Sequence, residues 1–195
     1  STQVNEETVE FPDGIAVTID PNQQLVFNYH YLNVNEEPLD AEIYLNLYYA
    51  DEDEDEEVEE AAVYLMGNIS GVDIPAGTSK SLTTTCSFGA DVSMFSITPH
   101  MHQYGTAFSM VLTESGESIH EDNDWYDPQT TYLDPTLSLG GDEEVSFTCS
   151  WENTTDQDVT FGETTEDEMC FVFGYHWPAS GFVYMQEGYG CVEEE

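Results

Sequence analysis

His100-Met101-His102 and Asp167-Glu168-Met169-Cys170 hold the side chains of this sequence best suited to metal chemistry. Successive side chains of a β-strand alternate between faces, so His100 and His102 point the same way and can offer two imidazoles to one ion. Met169, on a second strand, adds a thioether. Two nitrogens and one soft sulfur suit copper, above all Cu(I), better than zinc or calcium. Without a thioether nearby, the same histidines would read as a polar strand face bonded to backbone or water. The chemistry requires the two segments to meet although they are far apart in the chain.

The elements that would bring them together follow from a period-two pattern. Leu25, Phe27, Tyr29 and Tyr31 alternate with polar residues, as do Ile43, Leu45, Leu47 and Tyr49. The same holds for Phe108–Leu112, Val145–Trp151 and Phe171–Trp177. Turn signals separate these runs, among them Pro75-Ala76-Gly77, Asp127-Pro128 and Gly140-Gly141. The pattern predicts an all-β chain, an antiparallel β-sandwich of jelly-roll type over residues 23–191. Residues 1–22 read as an N-terminal arm, and 192–195 as an acidic tail. The aromatic stripe at 171–177 is expected to face the core. His176 would share the opposite face with Cys170 and Val172. His30, His120 and His176 are expected to be packed or surface histidines, not ligands.

The 195 residues include 41 acidic side chains, one lysine (Lys80) and no arginine, for a formal charge of −40. Nucleic acid is excluded as a partner, because binding needs a basic surface to displace counterions. Anionic membranes are disfavoured for the same reason, and no apolar run is long enough to span a bilayer. The acids are spread along the chain, and the densest run, Asp51–Glu60, lacks the glycine and spaced ligands of a calcium loop. It reads as a solvated loop, and the acidity as adaptation to a high-salt or crowded extracellular setting. Ser1 and the polar stretch after it resemble a processed N-terminus. An even count of four cysteines favours an oxidising compartment and hence an extracellular, secreted protein, with three pairings open. Asn68-Ile69-Ser70 and Asn153-Thr154-Thr155 are candidate glycosylation sequons. No phosphate-binding glycine loop or nucleophile elbow is present.

Four segments occur in the order of one family: Leu25-Val-Phe-Asn-Tyr-His-Tyr31, Val63-Tyr-Leu-Met66 with Ile74-Pro-Ala-Gly77, His100-Met-His-Gln-Tyr-Gly105, and Phe161-Gly-Glu-Thr-Thr-Glu-Asp-Glu-Met-Cys170. From about Leu25 to Cys191 the chain resembles the C-terminal half of the type II copper, ascorbate-dependent monooxygenases. These include peptidylglycine alpha-hydroxylating and dopamine beta-monooxygenases. The resemblance implies copper at His100, His102 and Met169. It also implies disulfides Cys149–Cys170 and Cys86–Cys191, the first clamping the methionine strand to its neighbour. The family's second copper uses three histidines carried largely by an N-terminal domain. Only His30 lines up with one of these, and no adjacent His-His pair occurs. Thr98 stands where peptide-hydroxylating members carry an arginine, and Phe173 where they carry a tyrosine.

The reading is therefore an extracellular copper-binding β-sandwich with a mononuclear His-His-Met site and no second copper domain. One alternative is a structural subunit of an extracellular filament or coat, a homo-oligomer joined by exchange of the N-terminal arm. Another is a copper hydroxylase acting with a partner or an exogenous reductant.

Overall fold

The computed structural model describes residues 8–26, 37–50, 58–179, 183–187 and 190–193, with 183–187 and 193 described by backbone alone. Among them are fourteen strands and no helix, so no helix is long and apolar enough to cross a membrane. In chain order these are β1 (Ile15–Ala16), β2 (Glu59–Glu60), β3 (Ala62–Asn68), β4 (Asp73–Ile74), β5 (Ser79–Ser87), β6 (Val92–His100) and β7 (Gly105–Leu112). They continue with β8 (Ser118–Asp122), β9 (Thr131–Leu139), β10 (Glu144–Glu152), β11 (Val159–Thr160), β12 (Cys170–Trp177), β13 (Val183–Glu187) and β14 (Gly190–Glu193).

Ten strands form one hydrogen-bonded sheet in the order β8-β7-β10-β5-β14-β13-β3-β12-β6-β9. Four strands separate β10 from β12, about 24 Å along a flat sheet at the usual strand spacing. Yet Cys149 of β10 and Cys170 of β12 are disulfide-bonded, with Cα atoms 5.9 Å apart. The sheet must therefore fold over on itself, and the protein is an all-β sandwich. The chain passes between the halves where β13 pairs with β3 and β14 with β5. Cys86 and Cys191 are bridged across that β5–β14 pair.

The core follows the alternation of each strand. Val145, Phe147, Cys149 and Trp151 of β10 point inward against Tyr64 and Met66 of β3, Met94 and Ile97 of β6 and Phe108 and Met110 of β7. The other face of β10 carries hydroxyls instead. Ser146, Thr148 and Ser150 each bond a partner directly across on β5, Thr85 (2.6 Å), Thr83 (2.8 Å) and Ser81 (2.8 Å). A polar outer face and an apolar inner one are what period two produces on one strand.

Several expectations are corrected. On β12 the inward residues are Cys170, Val172, Gly174 and His176, as their burial shows, and the aromatic stripe lies on the outer face. There Phe95 stacks on Tyr175 and meets Trp177 at a tilt, and Phe11 of the arm packs edge-on to Tyr175 at 5.0 Å. Phe11 thus covers this face of the sheet, and β1 pairs with β2. Residues 43–49 form no strand, and Ile43, Tyr44, Leu45, Leu47, Tyr48 and Tyr49 are all exposed. Val192 and Glu193, read as tail, continue the ladder of β14 opposite Thr85 and Thr84. Leu25 and Val26 are exposed and in no strand, while residues 27–31 with His30, and most of Asp51–Glu60, lie outside the described residues.

The two sequon asparagines are packed in the interior. Asn68 is fully buried, donating to Thr84 (3.1 Å) and accepting from the Gly71 amide (2.8 Å). Asn153 is equally buried, and its Nδ2 donates to the carbonyls of Ile74 (3.0 Å) and Gln157 (2.8 Å). A glycan on either nitrogen would break these bonds in the interior. Both asparagines act as loop anchors in this fold.

Candidate metal centre

Antiparallel pairing of β12 with β6 sets Phe171 opposite His100 and Phe173 opposite Thr98. These residues share the outer face, while Met101 turns inward and is buried. The strand ends at His100, so His102 sits just past it and the two histidines are not both on one strand. The chain turns back there, with the Gly105 amide donating to the His102 carbonyl at 2.9 Å. A Cβ on Gly105 would lie 2.9 Å from the Met101 Cβ and 3.1 Å from the His102 oxygen, which explains the glycine three residues after His102. Met169 likewise lies one residue before β12 begins. Continuing the register by two residues brings Met169 level with His102.

The two imidazoles stand edge to face with centroids 5.2 Å apart. A metal about 2 Å from one nitrogen of each ring, at a near-tetrahedral angle, requires centroids about 5 Å apart. The ring separation therefore matches what a shared ion requires. The Nδ1 of His102 lies 3.1 Å from the Asp167 carbonyl oxygen. A carbonyl only accepts, so Nδ1 carries the proton and Nε2 keeps its lone pair for a metal. Burial, followed by the neighbouring His102, pushes the pKa of His100 down to about 4, so its ring is neutral at physiological pH. Among the described residues no group of three His, Cys, Asp or Glu side chains could hold a metal. Met169 is half-buried on the segment that adjoins His102.

That segment is held by a compact turn. Thr164 donates its amide and hydroxyl to the Asp167 carboxylate (3.1 and 2.7 Å), and these bonds hold its pKa below the ordinary value. The next residue, Glu168, has no exposed surface. Its Oε1 accepts from the Tyr104 amide (2.7 Å), and its Oε2 from the amides of His102 (2.9 Å) and Met169 (3.2 Å) and from the Trp151 indole (2.9 Å). Burial raises its pKa, while the bonds from His102, Tyr104 and Met169 oppose that shift. Sequence reasoning quoted Glu168 only as part of a motif, and nothing set it apart among 41 acids.

Residues 59–188 match the family described as copper type II ascorbate-dependent monooxygenase, C-terminal domain. The chain belongs to that family. Copper is therefore the metal of this domain, and imidazole and thioether are donor types that suit it. In this copper monooxygenase domain Thr98 and Phe173 are cross-strand partners, and Thr98 bonds the Thr130 hydroxyl at 2.8 Å. No cation stands there to receive a carboxylate, since the chain has no arginine and Lys80 is bonded to the carbonyls of Gly71 and Asp73. The other two described histidines lie elsewhere. His120 is buried against Phe108 with Nδ1 2.8 Å from the Thr131 hydroxyl, and His176 is buried beside Phe88.

Proposed function

We propose that the chain is an extracellular copper module holding one ion through His100, His102 and Met169. The observation that carries this reading is the His100–His102 pair at 5.2 Å, with His102 oriented from behind by the Asp167 carbonyl. Copper bound there supplies a one-electron redox couple. The protein's part is to keep the His100 ring neutral, to orient the His102 ring through Nδ1 and to supply a thioether from Met169. The two disulfides support an oxidising, extracellular setting. The family match favours use of this copper in ascorbate-dependent hydroxylation, with electrons from a partner or an exogenous reductant. The site face, without a cation, favours a substrate that lacks a carboxylate.

Titration of the copper-free protein tests this. Wild type is expected to bind one equivalent of Cu(I), competing with a chromophoric chelator. His102→Ala is expected to weaken binding at least about 100-fold, because one ligand and the Asp167 contact are both lost. Affinity unchanged by His102→Ala, or no binding by wild type, would contradict the assignment.

A further inference from the structure

We infer that Glu168 is the positioning residue of the copper centre, holding the backbones of His102 and Met169 at a set spacing before metal arrives. This rests on the copper reading above. The decisive geometry is convergence on one atom: the amides of both ligand residues donate to Oε2, at 2.9 and 3.2 Å. They come from segments that lie beyond the ends of β6 and β12, where no strand ladder joins them. Trp151 donates to the same oxygen from β10, in the other half of the sheet, so the clasp also ties both ligand segments to the opposite layer.

Packing alone does not account for a glutamate here. A buried carboxylate is costly unless its lone pairs are filled, and four N–H groups fill them. Lys80, the chain's only basic residue besides histidine, is bonded to the Gly71 and Asp73 carbonyls. Glutamine has the same shape but one acceptor oxygen. With that oxygen placed for His102, Met169 and Trp151, its amide nitrogen would point at the Tyr104 N–H, donor against donor. The four-donor clasp therefore needs an acceptor at both oxygens, which a carboxylate offers and an amide does not.

Three measurements test this. Glu168→Gln is expected to weaken Cu(I) binding by about 10- to 100-fold, the usual effect of losing a group that orients a ligand, and to weaken the copper–sulfur scattering in X-ray absorption. Val145→Ala, on β10 about 20 Å from Trp151 by strand rise, is expected to lower thermal stability with affinity and scattering unchanged. In copper-free wild type the amides of His102 and Met169 are expected to exchange with deuterium as slowly as those of β12. A folded Glu168→Gln protein with wild-type affinity and sulfur scattering would overturn the inference, as would equal copper loss in Val145→Ala. Where Glu168→Gln does not fold, the exchange rates decide, and ligand amides exchanging as fast as exposed loop amides overturn it. Wild type that takes up no copper would instead remove the copper reading itself.

Discussion

Replacing Cys149 and Cys170 together by alanine is expected to destabilise the protein by about 3 kcal/mol and to weaken copper binding about tenfold or more. The bridge closes a separation of 21 residues and joins strands from opposite halves of the folded sheet. Its position matters more for function than its loop length. Cys170 directly follows Met169, and Cys149 lies two residues before Trp151, whose indole bonds Glu168. Without the bridge, the layer carrying Met169 and the layer carrying Trp151 can drift apart, and the ligand set loosens. The Cys86–Cys191 pair should behave in the opposite way. Its separation of 105 residues predicts a larger stability loss, about 4–5 kcal/mol in the chain-entropy view. It sits at the Val145 end of β10, remote from Trp151, so copper affinity should hardly change. Denaturant unfolding and copper titration of the two double variants separate these effects. Equal copper loss in both would show that the bridges act only through global stability.

Gly174→Ala is expected to cost about 3 kcal/mol or more, or to prevent folding outright. A Cβ at this position of β12 would collide with the Ser96 carbonyl oxygen and lie 2.7 Å from the Tyr64 hydroxyl. Tyr64 is buried and donates to that same carbonyl at 2.8 Å. The clash is with backbone, so no side-chain rotation relieves it. The strain would fall where the β12–β6 register shifts, between Phe173 and His176. Pushing β6 away there would also move His100 relative to the Met169 segment. Thermal unfolding and copper affinity are expected to fall together, and a Gly174→Ala protein as stable as wild type would contradict this packing.

Much of this architecture was legible in the sequence because alternation acts locally. The runs at 108–112, 145–151 and 171–177 lie in strands, although the face of β12 that turns inward is the even-numbered one of Cys170 and His176, opposite to the aromatic stripe expected there. Alternation does not say which face is covered or whether a partner strand exists. At β12 the bulky aromatics face outward because Phe11 and Phe95 shelter them, while small Gly174 and Val172 let the layers approach. Residues 43–49 alternate well, yet a lone strand has no ladder to complete, and among the described residues none pairs with it. The candidate ligands were visible through residue type and spacing. Their placement at strand ends was not, since the turn after His100 depends on close contacts at Gly105. Glu168 was invisible for a different reason. Its role lies in the donors that reach it from three separate segments, and sequence shows only one more acid.

The central claim is that His100, His102 and Met169 bind one copper ion together. X-ray absorption at the copper edge of the Cu(I)-loaded protein tests it most directly. The account predicts imidazole scattering from two histidines and a sulfur neighbour at about 2.3 Å, with the sulfur contribution abolished in Met169→Leu. A wild-type spectrum without sulfur, or one unaltered by His100→Ala and His102→Ala, would contradict it.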